Sequence, residues 1–167
     1  TATPAYGYHF EQWNDGLSNN PRTINVIQDT MFMAQFAANT YSITVQANDP
    51  RMGSAYGSGN FSYNTTTTLS ATATYGYHFV QWSDGNTENP RTVPVTQNAI
   101  YTAIFEINTY AISVGSSNPA IGSAAGGGTY SYNTIVNISA TPNYGYHFVQ
   151  WSDGNTENPR TITVIQN

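Results

Sequence analysis

Apolar and polar residues alternate along much of this chain, with the period of two that turns successive side chains to opposite faces of a pleated strand. Tyr41, Ile43, Val45 and Ala47 interleave with Ser42, Thr44 and Gln46, and Tyr110, Ile112 and Val114 repeat the pattern. Both stretches read as half-buried strands. Further strands are predicted at 60–63, 68–72, 79–82, 91–96 and 100–106, separated by clusters of Gly, Pro, Asn and Asp suited to turns. Helical periodicity is nowhere sustained. Threonine and aromatic residues, which fit a pleated surface, fill the predicted strands. The expected fold class is all-β, made of antiparallel strands.

A second, longer period overlies the first. The residues Tyr75 to Thr92 return letter for letter at Tyr144 to Thr161, a displacement of 69 residues. A more divergent copy lies the same distance upstream, with Tyr6-Gly7-Tyr8-His9-Phe10, Trp13, Asp15-Gly16 and Asn20-Pro21-Arg22 in matching positions. The chain is a tandem array, so a residue that recurs once per copy belongs first to the architecture of the unit. One predicted strand runs almost directly into the next at 36–41 and at 105–110. The expected division is therefore 1–37, the second half of a unit; 38–106, a complete unit; and 107–167, a unit without its last strand. Connections this short, with no Gly/Ser tract, predict little freedom between units and an elongated rod. Segments 49–60 and 118–129 diverge most between the second and third copies and are rich in Gly, Ser and Ala, which reads as a variable surface loop.

Composition sharpens this picture. Aromatic residues make up 14% of the chain and charged residues only 8%, so aromatic burial can supply much of the driving force that such small units need. The expected core is Tyr8, Phe10 and Trp13 in the first copy, Tyr77, Phe79, Trp82, Ala103 and Phe105 in the second, and Tyr146, Phe148 and Trp151 in the third. Cysteine and lysine are both absent, so neither a disulfide nor a lysine–asparagine isopeptide bond staples the units. Four arginines against nine acids leave a net charge of −5, which lacks the basic footprint of nucleic-acid binding and argues against an anionic membrane surface. No apolar run is long enough to span a bilayer, and Thr1-Ala2-Thr3-Pro4 is not a secretory signal, so the chain is expected to be processed or excised from something longer.

Candidate chemistry is sparse. Asp84, Asn86 and Glu88, mirrored by Asp153, Asn155 and Glu157, put oxygen atoms on alternate residues of a Gly-containing loop, a spacing that suits calcium. The first copy has Asp15, Leu17 and Asn19 instead, and the bidentate acid of a helix–loop–helix calcium site is missing. The alternative, an Asp-Gly turn whose side chains bond their own backbone, is the preferred reading, and no metal or cofactor is expected. His9, His78 and His147 occur once per copy, too few for a histidine metal site within a unit. Ser83, His78 and Asp84 can be assembled on paper into a hydrolytic triad, yet Asn14 replaces the serine in the first copy, and no catalytic role is expected. Trp13, Trp82 and Trp151 could stack on sugars but are more economically spent in the core, leaving Tyr6, Tyr75 and Tyr144 as the exposed ring candidates.

The sequence Gly76-Tyr77-His78-Phe79-Val80-Gln81-Trp82-Ser83-Asp84-Gly85, followed by Asn89-Pro90-Arg91-Thr92-Val93 and Tyr101-Thr102-Ala103-Ile104-Phe105, resembles the divergent InlB-type B-repeats of bacterial surface proteins. The resemblance covers the whole unit. It implies a small β-rich fold akin to β-grasp, used in tandem in secreted or anchored proteins as a stalk or adhesive spacer, and it brings no catalytic residues. A glycan- or host-protein-binding module is the alternative. The expected partners are neighbouring repeats of the same or adjacent chains, with a glycan or host surface protein as a further candidate. Residues 30–36 correspond to the strand that 107–167 lacks, so head-to-tail strand addition between chains is a further expectation.

Overall fold

The computed structural model describes residues 1–166. Among them every regular element is a strand. The first copy contributes β1 (Tyr8–Trp13) and β2 (Ala34–Ala38), paired antiparallel with a bulge between Phe10 and Gln12. The second contributes β3 (Thr40–Ala47), β4 (Gly53–Tyr56), β5 (Gly59–Ser62), β6 (Thr66–Ala73), β7 (Tyr77–Trp82), β8 (Arg91–Pro94) and β9 (Ala99–Ile107). These form two sheets, with orders β5-β3-β9-β7 and β4-β6-β8. In the third copy β10 (Thr109–Ile112) pairs with β12 (Gly128–Ser131), while β11 (Gly122–Ala125), β13 (Ile135–Pro142) and β14 (Arg160–Thr163) make a separate sheet.

Two sequence expectations are corrected. The sheets are not wholly antiparallel: β3 and β9 run parallel, with Ile43 opposite Ala99 and Ala47 opposite Ala103. Parallel pairing needs a long crossover, and the chain between these strands supplies one by building β4, β6 and β8 of the other sheet. The supposed loops 49–60 and 118–129 contain β4 and β11 and reach β5 and β12. Each small-residue stretch carries the chain from one sheet to the other. Gly57 and Gly126 make the crossing, with φ of +119° and +104°; a Cβ there would lie 2.5 and 2.4 Å from the carbonyl oxygens of Thr68 and Asn137.

The described residues divide into two compact units: Thr1–Pro50 with Ser54–Thr72 and Val80–Ile104, and Arg51–Gly53 with Ala73–Phe79 and the residues from Phe105 onward. In the first unit the alternating pattern turns Ile43 and Val45 of β3, Trp82 of β7 and Ala103 of β9 inward. From the other sheet Leu69, Ala71 and Val93 do the same, joined by Val95. Full burial of each large side chain contributes about 1.5–3 kcal/mol. The second unit has a smaller core of Val136, Ile138 and Val164, against which Tyr110, Ile112, Val114, Tyr130, Trp151 and Ile162 pack half-buried.

The residues nominated for the core fall into three groups. Trp13, Trp82, Ala103 and Phe105 are buried. Phe10, Tyr77, Phe79, Phe148 and Trp151 are half-buried. Tyr8 and Tyr146 correct the expectation, being 39% and 55% exposed. The Tyr8 ring instead meets Tyr63 edge-on.

Candidate functional site: the joint between repeats

The recurrent Tyr-Gly-Tyr-His block is a turn whose rings clasp a tyrosine of the copy that follows. In the first unit, Tyr6 and Tyr8 meet Tyr63 edge-on, with centroids 5.7 and 5.5 Å away. Tyr63 also receives the ring of Tyr41 at 6.3 Å. Gly7, at φ +84°, lies flat against the Tyr63 ring; a Cβ there would sit 2.3 Å from Cδ1. Glycine is required twice over, for the left-handed backbone and for the space. Around the rings runs a backbone chain of hydrogen bonds: the Asn39 N–H donates to the Gly7 carbonyl, and the Tyr63 N–H donates to the Asn39 carbonyl, both at 2.8 Å. The Asn39 side-chain oxygen accepts from His9 Nδ1 at 2.9 Å, and the Tyr6 hydroxyl donates to the Thr96 carbonyl at 3.2 Å.

The second unit repeats this arrangement with other residues. Tyr75 and Tyr77 meet Tyr132 at 5.5 and 6.2 Å, and a Cβ on Gly76, at φ +88°, would lie 2.2 Å from that ring. The Asn108 N–H donates to the Gly76 carbonyl at 2.9 Å, the Tyr132 N–H to the Asn108 carbonyl at 2.8 Å, and His78 Nδ1 to the Asn108 side chain at 2.8 Å. The Tyr75 hydroxyl donates to the Ile165 carbonyl at 3.0 Å. Edge-to-face aromatic pairs contribute about 0.5–1.5 kcal/mol each beyond their buried area. In the third copy the same turn forms, with the Tyr146 N–H on the Asn143 carbonyl at 3.0 Å, but Gly145 has nothing within 4 Å of a Cβ and Tyr144 is fully exposed.

The acceptor half of the joint was not read from the sequence. Asn39 and Asn108, and Tyr63 and Tyr132, recur at the 69-residue displacement, which is the signal that could have found them.

The Asp-Gly loop is held by its own side chains. Arg91 clasps the Asp84 carboxylate, Nη1 on Oδ1 at 2.8 Å and Nη2 on Oδ2, and this pairing lowers the Asp84 pKa from the ordinary carboxylate range. Arg91 is itself buried, its guanidinium 5.0 Å from the Tyr101 ring centroid and 5.8 Å from that of Trp82. The Asn86 side-chain oxygen accepts from the Glu88 N–H at 2.8 Å, and Trp82 Nε1 donates to the Glu88 carbonyl at 2.9 Å. Asp153, Asn155, Glu157 and Arg160 repeat the set. Of the alternate oxygens noted for calcium, those of Asp84 and Asn86 are thus engaged by an arginine and by a backbone N–H. Among the described residues no three His, Cys, Asp or Glu converge as a metal site. The Asn89 amide, next to the cis Asn89–Pro90 bond, bonds both the N–H and the carbonyl of Ala71, at 2.8 and 2.7 Å; Asn158 does the same at Ala140.

The paper triad dissolves in three dimensions. His78 faces Asn108, Asp84 faces Arg91, and the Ser83 hydroxyl oxygen accepts from the Thr102 N–H at 3.1 Å. Ser83, His78 and Asp84 thus each bond a different partner and do not form a triad.

All-β repeats recurring in sequence at a displacement of 69 residues, with polar clusters that hold their own turns, define a class of tandem β-modules. The divergent InlB B-repeat domain model matches residues 1–40, 41–109 and 112–166, and the chain belongs to that family. It is a family of repeat modules of bacterial surface proteins, not an enzyme family. Comparison with the curated proteins gives no match, and comparison with the solved structures gives none either.

Proposed function

We propose that this segment is a structural spacer of a secreted bacterial surface adhesin or extracellular fibre, in which each repeat transmits position and load to the next through its tyrosine joint. The observation that supports this reading is the joint itself. A flexible tether would need neither a glycine pressed on an aromatic ring nor a backbone bond chain, whereas a spacer gains stiffness from both. Single-molecule stretching of the full chain tests it. A spacer shows a stiff response that Gly76→Ala softens, together with no saturable binding on glycan and host-protein panels.

A carbohydrate- or host-protein-binding module is the second reading, favoured by the exposed rings of Tyr6, Tyr75 and Tyr144. Saturable binding that is lost on Tyr144→Ala, with stability unchanged, selects it over the spacer.

A further inference from the structure

Each joint gathers phenols from distant parts of the chain. Tyr8 and Tyr63 are 55 positions apart, as are Tyr77 and Tyr132, and the pairs meet edge-on with centroids 5.5 and 6.2 Å apart. One ring of each joint is fixed: Tyr63 and Tyr132 are half-buried, with Gly7 and Gly76 lying flat against them. The outer ring is free to move. Tyr6 and Tyr75 are 69% and 66% exposed and stand 5.7 and 5.5 Å from the fixed rings, so a dissolved oxidant reaches them and their side chains reorient within picoseconds to nanoseconds. Cysteine and lysine are absent, so a covalent staple at these junctions has to be built from other side chains.

We propose that each joint is a site of oxidative tyrosine cross-linking, in which a peroxide acting through a haem peroxidase couples Tyr63 to Tyr6 or Tyr8, and Tyr132 to Tyr75 or Tyr77. Each ring gives up one electron and its phenolic proton and becomes a phenoxyl radical. The two radicals join through carbons ortho to their hydroxyls, and the hydrogens on those carbons move to the phenoxyl oxygens, restoring both phenols. Two hydrogen atoms leave the protein, and one hydrogen peroxide becomes two waters. A fixed ring beside a movable one suits this step, because radical coupling needs the two carbons held in contact. The bond closes a loop of about 55 residues and restricts the unfolded chain as a disulfide of that span does. The site stands whether or not the array serves as a spacer.

The test treats the full chain, at low micromolar concentration, with hydrogen peroxide and a haem peroxidase, then with trypsin, which cuts after Arg22, Arg51, Arg91 and Arg160. The tyrosines of each joint fall on different peptides: 1–22 and 52–91 for the first, 52–91 and 92–160 for the second. Both pairs are expected as joined peptides, at the summed mass less two hydrogen atoms. Tyr63→Phe should reduce the first joined pair at least about tenfold and leave the second within about twofold, and Tyr132→Phe should do the reverse. Phenylalanine keeps the ring contact and removes only the phenol, so both variants retain the fold. A chain that gains oxygen atoms without forming either joined pair overturns the proposal, as does one that links only to other molecules. Joined pairs that survive their own substitution overturn it too.

Discussion

At the scale of single residues, identical letters acquire different energies because their neighbours differ. Gly76 and Gly145 both sit at φ near +88°, so alanine at either costs about 1–2 kcal/mol of backbone strain. Only at Gly76 does the added methyl collide with a ring. Gly76→Ala is expected to destabilise the joint by roughly 2–4 kcal/mol, read as faster amide exchange at Asn108 and Tyr132, while Gly145→Ala shows the backbone cost alone. Trp82 is fully buried and Trp151 half-buried. Trp82→Ala should therefore cost about 3–5 kcal/mol in denaturant unfolding and Trp151→Ala markedly less, about 1–2 kcal/mol. Equal losses would contradict the packing described. Acid acts on the Asp-Gly loop: Arg91 holds the Asp84 carboxyl below its ordinary value, so the pair stabilises the fold fully above about pH 4. That contribution is lost as pH falls through the lower folded value. Melting temperature should drop below about pH 4, and Asp84→Asn should remove the part of the drop due to this pair.

At the scale of elements, β7 is the instructive case. Residues 77–82 and 146–151 have one sequence, the same local turn before them and the same tryptophan-to-carbonyl bond after them. The first is a strand and the second is not, because a strand exists only through its ladder partner, and β9 has no counterpart beside 146–151 among the described residues. Hydrogen exchange at 147–150 is expected to be at least about a hundredfold faster than at 78–81. Matching rates would mean that the segment holds its form without a neighbour. The alternation along the chain made most strands legible, since β3, β6, β7, β8 and β9 all overlap the positions it marked. It failed at β4 and β11, where Gly, Ser and Ala look like loop but the small side chains let the backbone cross between sheets.

At the scale of the whole molecule, the absence of cysteine and lysine leaves cohesion to apolar burial, aromatic contacts and hydrogen bonds. Because the Asp84 and Asn86 oxygens are already engaged by arginine and backbone, thermal unfolding with chelator and with millimolar calcium should coincide; a shift beyond about 10 °C would reveal a site coupled to folding. What the sequence determined alone is whatever rests on short-range chemistry: strand-forming alternation, the repeat period, the Asp-Gly turn with its arginine, and the left-handed glycine turn that forms in all three copies. What only the tertiary structure decided is where those pieces spend their surface. The parallel pairing of β3 with β9 joins residues 56 positions apart, and no local pattern encodes it. The rings of Tyr8 and Tyr77 turn to a tyrosine of the next copy rather than to their own core, a choice set by where Tyr63 and Tyr132 arrive once the sheets have formed. Among the described residues the same ring of the third copy, Tyr146, stays exposed, because a contact needs two surfaces and a sequence block specifies one.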